Sequence, residues 1–269
     1  MFKIKKNLLF SWLVLSFCVL EVQAAESIGS YNNGCIKGAV PLKAGTHFQI
    51  QKWGVERNYG HPELIDYINS LVKRAKESHL PDLLIGDLGR PLGGPFGASS
   101  SHGSHQSGLD VDVSFDFAEP RKSESELRNP KDVFIVDQKN RPTANFDDAR
   151  VALLYLAAQD ERVERIFVAP GIKRVLCKIY EGKDRSWLRK IRPWFGHRGH
   201  MHVRLACPLD SPNCVKQAKV PAGDGCGEEL MSWFLPPPPS TSTGPRKPKP
   251  KKVLPALCRD FFIKNHYKY

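Results

Sequence analysis

The sequence predicts an α+β protein, a single domain with a central antiparallel sheet and flanking helices, followed by a proline- and lysine-rich C-terminal extension. Three observations predict it. The segments GLDVDVSF (108–115) and HMHVRL (200–205) alternate apolar and polar residues strictly, the period of half-buried strands. The segments PELIDYINSLVKRAKESH (62–79) and NFDDARVALLYLAAQD (145–160) instead space their apolar residues as amphipathic helices do. Finally, 41% hydrophobic content over 269 residues is ordinary globular composition, enough for one generous core.

Taken in order, residues 1–24 carry Lys3, Lys5 and Lys6, an apolar run from Leu8 to Leu20, and small residues at Val22 and Ala24. This is the pattern of a cleaved secretory signal, with the mature chain starting at Ala25. The run is shorter than the about 20 residues of a spanning helix, so no stable membrane anchor is expected. An irregular stretch with Cys35 follows. In the first helix Leu64, Ile65, Ile68, Leu71, Val72 and Ala75 share a face behind Pro62, which suits a first turn. DLLIGDL (82–88) reads as a buried strand, and GRPLGGPFGASSSHGSH (89–105) as a long glycine-, proline- and serine-rich loop, a type that is often functional. After GLDVDVSF and the second helix come the strands VERIFVA (163–169) and HMHVRL. Residues 25–235 thus form the domain and 236–269 the extension.

The formal net charge of +12 is uneven: three lysines against Glu21 in the signal, and eight basic residues against Asp260 from Arg246 onward, leave only +3 for the body. Basicity is a tail property. An exported chain meets an acidic envelope polymer sooner than nucleic acid, so no nucleic-acid partner is expected. With Cys18 lost, six cysteines remain, which in an oxidising compartment implies three disulfides among 15 pairings. None forms a CxxC pair, which argues against a thiolate zinc site or a redox motif.

Alternation puts Leu109, Val111, Val113 and Phe115 on one face of their strand and Asp110, Asp112 and Ser114 on the other. The same rule groups His200, His202 and Arg204. If the two strands are neighbours, an Asp and a His from them, with His105 from the loop, can surround one metal ion. Two imidazoles and a carboxylate with an open position suit catalytic zinc. HGSH has neither the spacing nor the Glu of a helical HExxH site, no GxSxG elbow is present for a serine nucleophile, and no phosphate-binding glycine motif occurs.

SHGSHQSGLDVDV (101–113) followed by WFGHRGHMHVRLACP (194–208) resembles the penicillin-insensitive murein endopeptidases, periplasmic zinc enzymes related to lysostaphin, D-alanyl-D-alanine peptidases and hedgehog-type metallopeptidases. LAAQDERVERIFVAPGIK, WLRKIRPWFGHR and GDGCGEELMSWF extend the resemblance over nearly the whole mature chain. It implies His105, Asp112 and His202 as zinc ligands, with His102 also assigned to metal. His200 becomes general base or transition-state stabiliser, and His197 a second candidate. Asp110 either orients a ligand or is a solvated acid. The resemblance further implies a periplasmic location, peptidoglycan as partner and the disulfides Cys35–Cys258, Cys177–Cys226 and Cys207–Cys214. The first of these would tie the extension back. A second metal in the family uses an Asp and a His three residues later; here Asp137 is present but Asn140 stands in place of the histidine, which weakens that site. The implied reaction is hydrolysis of the D-alanyl to meso-diaminopimelyl cross-link. A D,D-carboxypeptidase or dipeptidase, or a non-catalytic murein-binding protein, is the alternative, and an oligomer is compatible with the sequence.

Overall fold

A computed structural model of the chain describes residues 24–52, 55–97, 100, 102–236 and 252–267. The signal segment up to residue 23 and most of the proline/lysine-rich stretch lie outside the described residues. Among the described residues no helix is long and apolar enough to cross a membrane.

The chain opens with a hairpin of β1 (Glu26–Ser30) and β2 (Asn33–Lys37), then the short strands β3 (Val40–Pro41), β4 (Phe48–Ile50) and β5 (Tyr59–Gly60). Helix α1 (Pro62–Glu77) starts where His61 accepts the Glu63 amide and Pro62 presets the first turn, and it buries Leu64, Tyr67, Ile68, Leu71, Val72 and Ala75. β6 (Leu83–Ile85) leads through a long loop to β7 (Asp110–Phe117), α2 (Glu124–Arg128) and α3 (Asp148–Ala158). β8 (Val163–Val168), α4 (Pro170–Ile179), β9 (Ile191–Pro193) and β10 (His200–Leu205) complete the sheet, and α5 (Glu228–Met231) and α6 (Ala256–Lys264) follow.

The main sheet has the order β4-β6-β7-β10-β8-β9. Its four central strands are antiparallel as expected, while the edge pairs β4–β6 and β8–β9 run parallel. Each parallel edge is closed by a helical crossover, α1 in one case and α4 in the other, and a crossover of this length returns the chain in its original direction. Alternation within single strands carries no such information.

Val111, Val113, Phe115, Met201, Val203 and Ile166 are fully buried in one core with the inner faces of α1 and α3. The opposite face of β7 and β10 is not left to solvent. The loop between β6 and β7 folds over it and is held down by a second small cluster of Ile28, Cys35, Cys258 and Phe262. Gly94, at φ +75°, lies where an added Cβ would meet the Phe262 ring at 2.9 Å, so helix α6 packs directly on the loop. The three disulfides are Cys35–Cys258, Cys177–Cys226 and Cys207–Cys214, with Cα–Cα distances of 5.6, 5.7 and 5.8 Å. The first brings α6 back to the start of the domain.

Candidate functional site

β7 and β10 pair so that His202 stands opposite Asp112, Arg204 opposite Asp110 and His200 opposite Ser114. Cross-strand partners on one face lie close enough to touch. Loop residues 102 and 105 descend onto this pair, and His105, at φ +69°, holds a left-handed backbone that a non-glycine residue adopts under tertiary constraint.

Asp112 is the hub. Its Oδ1 lies 3.4 Å from His105 Nε2 and 3.2 Å from His202 Nδ1, and its Oδ2 lies 3.8 Å from His102 Nδ1 and 3.9 Å from His200 Nε2. Its own burial would raise its pKa, but the surrounding histidines, His105 first, hold it well below the usual carboxylate range. His105 Nδ1 is 2.7 Å from the Leu88 carbonyl, which can only accept, so Nδ1 carries a proton and Nε2 is the ring nitrogen left to face Asp112. Nε2 lies against a carboxylate oxygen, and both atoms are buried without a hydrogen-bond partner. An imidazole nitrogen and a carboxylate oxygen 3.4 Å apart in a buried site are joined by a cation, either a proton on the ring or a metal ion bound by both. Ligand atoms of His102, His105 and Asp112 all lie within 4.8 Å of one another, the one such grouping of three or more among the described residues. His202 stands just outside it, its ring 4.5 Å from that of His105. The donor set fits a dication.

Asp110 is fully buried, so the solvated reading of that acid is wrong. The loop covers its face. Its carboxylate accepts Arg204 Nε at 2.6 Å and the His105 amide at 2.9 Å, and it stands 3.1 Å from His202 Nε2. Burial opposes its ionisation, but Arg204 and then His202 outweigh it and lower its pKa. Burial likewise disfavours the charged form of His202, yet Asp110 and Asp112 lift its pKa to about 9.

His197, also left-handed at φ +51°, holds its Nδ1 2.7 Å from the Phe195 carbonyl. Its ring lies 5.1 Å from that of His200 and 5.8 Å from that of His202. Burial, then the neighbouring His200 and His202, bring its pKa down to about 4, so it is neutral at neutral pH. Burial also lowers the pKa of His102.

The profile of the penicillin-insensitive murein endopeptidase family matches residues 27–262. The chain belongs to that family. Similar proteins include the penicillin-insensitive murein endopeptidases of Yersinia pestis bv. Antiqua (strain Antiqua), 46% identical over 90% of this chain and 86% of the relative, and of Salmonella paratyphi C (strain RKS4594), 46% identical over 88% and 85%. That of Yersinia enterocolitica serotype O:8 is 44% identical over 90% and 86%.

Two features of this peptidase-family site escaped the sequence reading. Asp87, at the exit of β6, is buried and contacts His102 Nε2 at 3.3 Å, Lys52 Nζ at 2.8 Å and Arg57 Nη1 at 3.4 Å. An acid between Gly86 and Leu88 in an otherwise apolar run was the available signal. Phe167 is the other: its register opposite His202 comes from pairing between β8 and β10. Asp137, whose place in a second metal site Asn140 already weakens, sits in a turn, the other reading the sequence allows for it. Its Oδ1 accepts the Lys139 and Arg141 amides and its Oδ2 the Arg141 Nε, while the Asn140 side chain accepts the Gly171 amide. A second ion there would have to displace those bonds.

Proposed function

We propose that this protein is a zinc-dependent endopeptidase of the periplasm that hydrolyses the D-alanyl to meso-diaminopimelyl cross-link of peptidoglycan, with residues 25–235 as its peptidase domain and 1–24 as a signal peptide. The observation that carries the reading is the pair of buried ligand atoms without hydrogen-bond partners, His105 Nε2 and Asp112 Oδ1, within the grouping of His102, His105 and Asp112 in a chain of this family. His105, Asp112 and His202 would hold one ion, with His102 beside them. When bound, zinc supplies Lewis acidity to the scissile carbonyl and brings the pKa of the attacking water to about 7.

The chain's own groups do the rest. Leu88 and Asp110 set the ring orientations of His105 and His202. His200 and His197, side by side, take the proton of the water and steady the developing oxyanion. No serine is acylated in this scheme, so penicillin has no target.

The test is a cross-linked muropeptide dimer incubated with the purified protein, with products followed by mass. Conversion to intact monomers, abolished by EDTA, restored by zinc and unaffected by penicillin, is the expected result. Loss of a terminal D-alanine alone would make the protein a carboxypeptidase, and full activity in metal-free protein would overturn the zinc reading.

A further inference from the structure

Outward from His202 the side chains form a continuous run of aromatic rings. The Phe167 ring lies 5.4 Å from the His202 imidazole, Trp194 5.7 Å from Phe167, and Trp233 6.2 Å from Trp194, with Phe195 4.9 Å from Trp233. The outer end faces water: Trp194 is 50% and Phe195 76% exposed. Exposed rings gathered beside a site mark a surface that is covered in use.

The fold holds these rings from two distant segments. Trp194 and Phe195 follow β9 directly, whereas Trp233 belongs to the 3-10 turn Ser232–Phe234 after α5. That turn follows Cys226, which is bonded to Cys177 of α4, and Arg174 of the same helix stacks 4.1 Å over Phe234. Among the described residues, Trp194, Phe195 and Trp233 are not part of either apolar cluster, so core packing does not account for their placement.

We infer that Trp194, Phe195 and Trp233 form a stacking platform for a sugar ring of the glycan strand that bears the cleaved peptide, an inference that rests on the function proposed above. A pyranose has an apolar C–H face and a hydroxyl rim, which suits a ring that is apolar in the middle and wet at its edge. An amide-rich peptide backbone lacks such a face. Reach agrees as well. An extended stem of four residues spans about 14 Å, and two ring-to-ring steps of 5.4 and 5.7 Å lead from His202 to Trp194, the near edge of the platform. With the scissile bond at Asp112 and His202, the base of the stem can reach that edge.

The test compares two dimers of the same cross-linked peptide, one bearing its disaccharides and one without sugar. The wild-type protein should show a KM about tenfold lower for the sugar-bearing dimer. Trp233→Ala and Phe195→Ala should bring that ratio to about one, and Phe195→Tyr should keep it. Because both substrates share the same chemistry, a shift of the His197 loop would change both rates and leave the ratio intact. A ratio of one in the wild type, or a ratio that survives both alanine variants, overturns the platform. Tryptophan fluorescence titration of metal-free protein with the disaccharide-tetrapeptide and with the bare tetrapeptide reads the same preference without turnover. Preference without hydrolysis would sink the enzyme reading alone, and hydrolysis without preference would sink the platform alone.

Discussion

Asp110 joins three parts of the site through one buried carboxylate: the Arg204 guanidinium, the His105 amide and the far side of the His202 ring. Asp110→Asn leaves Arg204 buried without its counter-charge and should cost about 3–5 kcal/mol in denaturant unfolding. It should also weaken zinc binding by about 10- to 100-fold in a chelator competition. Adding Arg204→Met should restore stability and not affinity, since the charge imbalance is removed while His202 stays unsupported. His202 contributes one slope to the pH dependence, and buried Lys173, whose pKa burial brings down to about 7, contributes the opposite slope over the same window. Its folded pKa, about 9, lies above the ordinary histidine value, so its stabilisation is present below about pH 6.5 and is lost as pH rises through about 9. The melting temperature of EDTA-treated protein, read as the difference from His202→Gln so that the Lys173 slope cancels, should therefore fall between pH 7 and 9.5, and zinc, which takes the place of the proton, should flatten that fall.

At the scale of elements, the loop that delivers His102 and His105 is held by α6. Phe262 packs on Gly94, the Tyr267 hydroxyl donates to the Gly93 carbonyl at 3.4 Å, and Arg90 stacks 4.5 Å over the Tyr267 ring. Cys35–Cys258 keeps that helix in place. The double variant Cys35→Ser/Cys258→Ser should lose about 2–5 kcal/mol of stability. In amide hydrogen exchange, residues 89–97 and 102–108 should lose protection well before β7 and β10 do, and zinc affinity should drop with them. Equal loss of protection across sheet and loop would mean that the disulfide supports the whole fold and not this loop in particular. Helices α1 and α3 and the alternating strands β7 and β10 were legible in the sequence because their periodicity is local, whereas α4 and α6 were not read from it. The parallel edges were not, because direction depends on where a crossover helix sends the chain.

For the whole molecule, a ligand that binds only the folded state stabilises it by mass action, about 2.7 kcal/mol at a hundred times its Kd. In a chain of this size that corresponds to a rise in melting temperature of about 5–10 °C. Zinc should produce it and magnesium should not, since the donors are two or three imidazoles and one carboxylate. The same rise with magnesium would point to a nonspecific acidic cluster.

The sequence by itself determined which polar residues share a face, because alternation in β7 and β10 sorts Asp112 and His202 from the apolar residues beside them, and the spacing of His105 and Asp112 already resembles the family. Tertiary structure alone decided what those residues do to one another. Strand register set His202 against Asp112, and the loop pressed down by α6 buried Asp110 and set His105 Nε2 against the Asp112 carboxylate, both atoms without a hydrogen-bond partner. The β7–β10 register joins segments about 90 residues apart in sequence, and the cover over Asp110 depends on α6 still further along the chain, so no local pattern encodes them. The same holds for Asp87 and for the rings running from Phe167 to Trp233, whose proximity exists only once β8 pairs with β10 and Cys226 is bonded to Cys177.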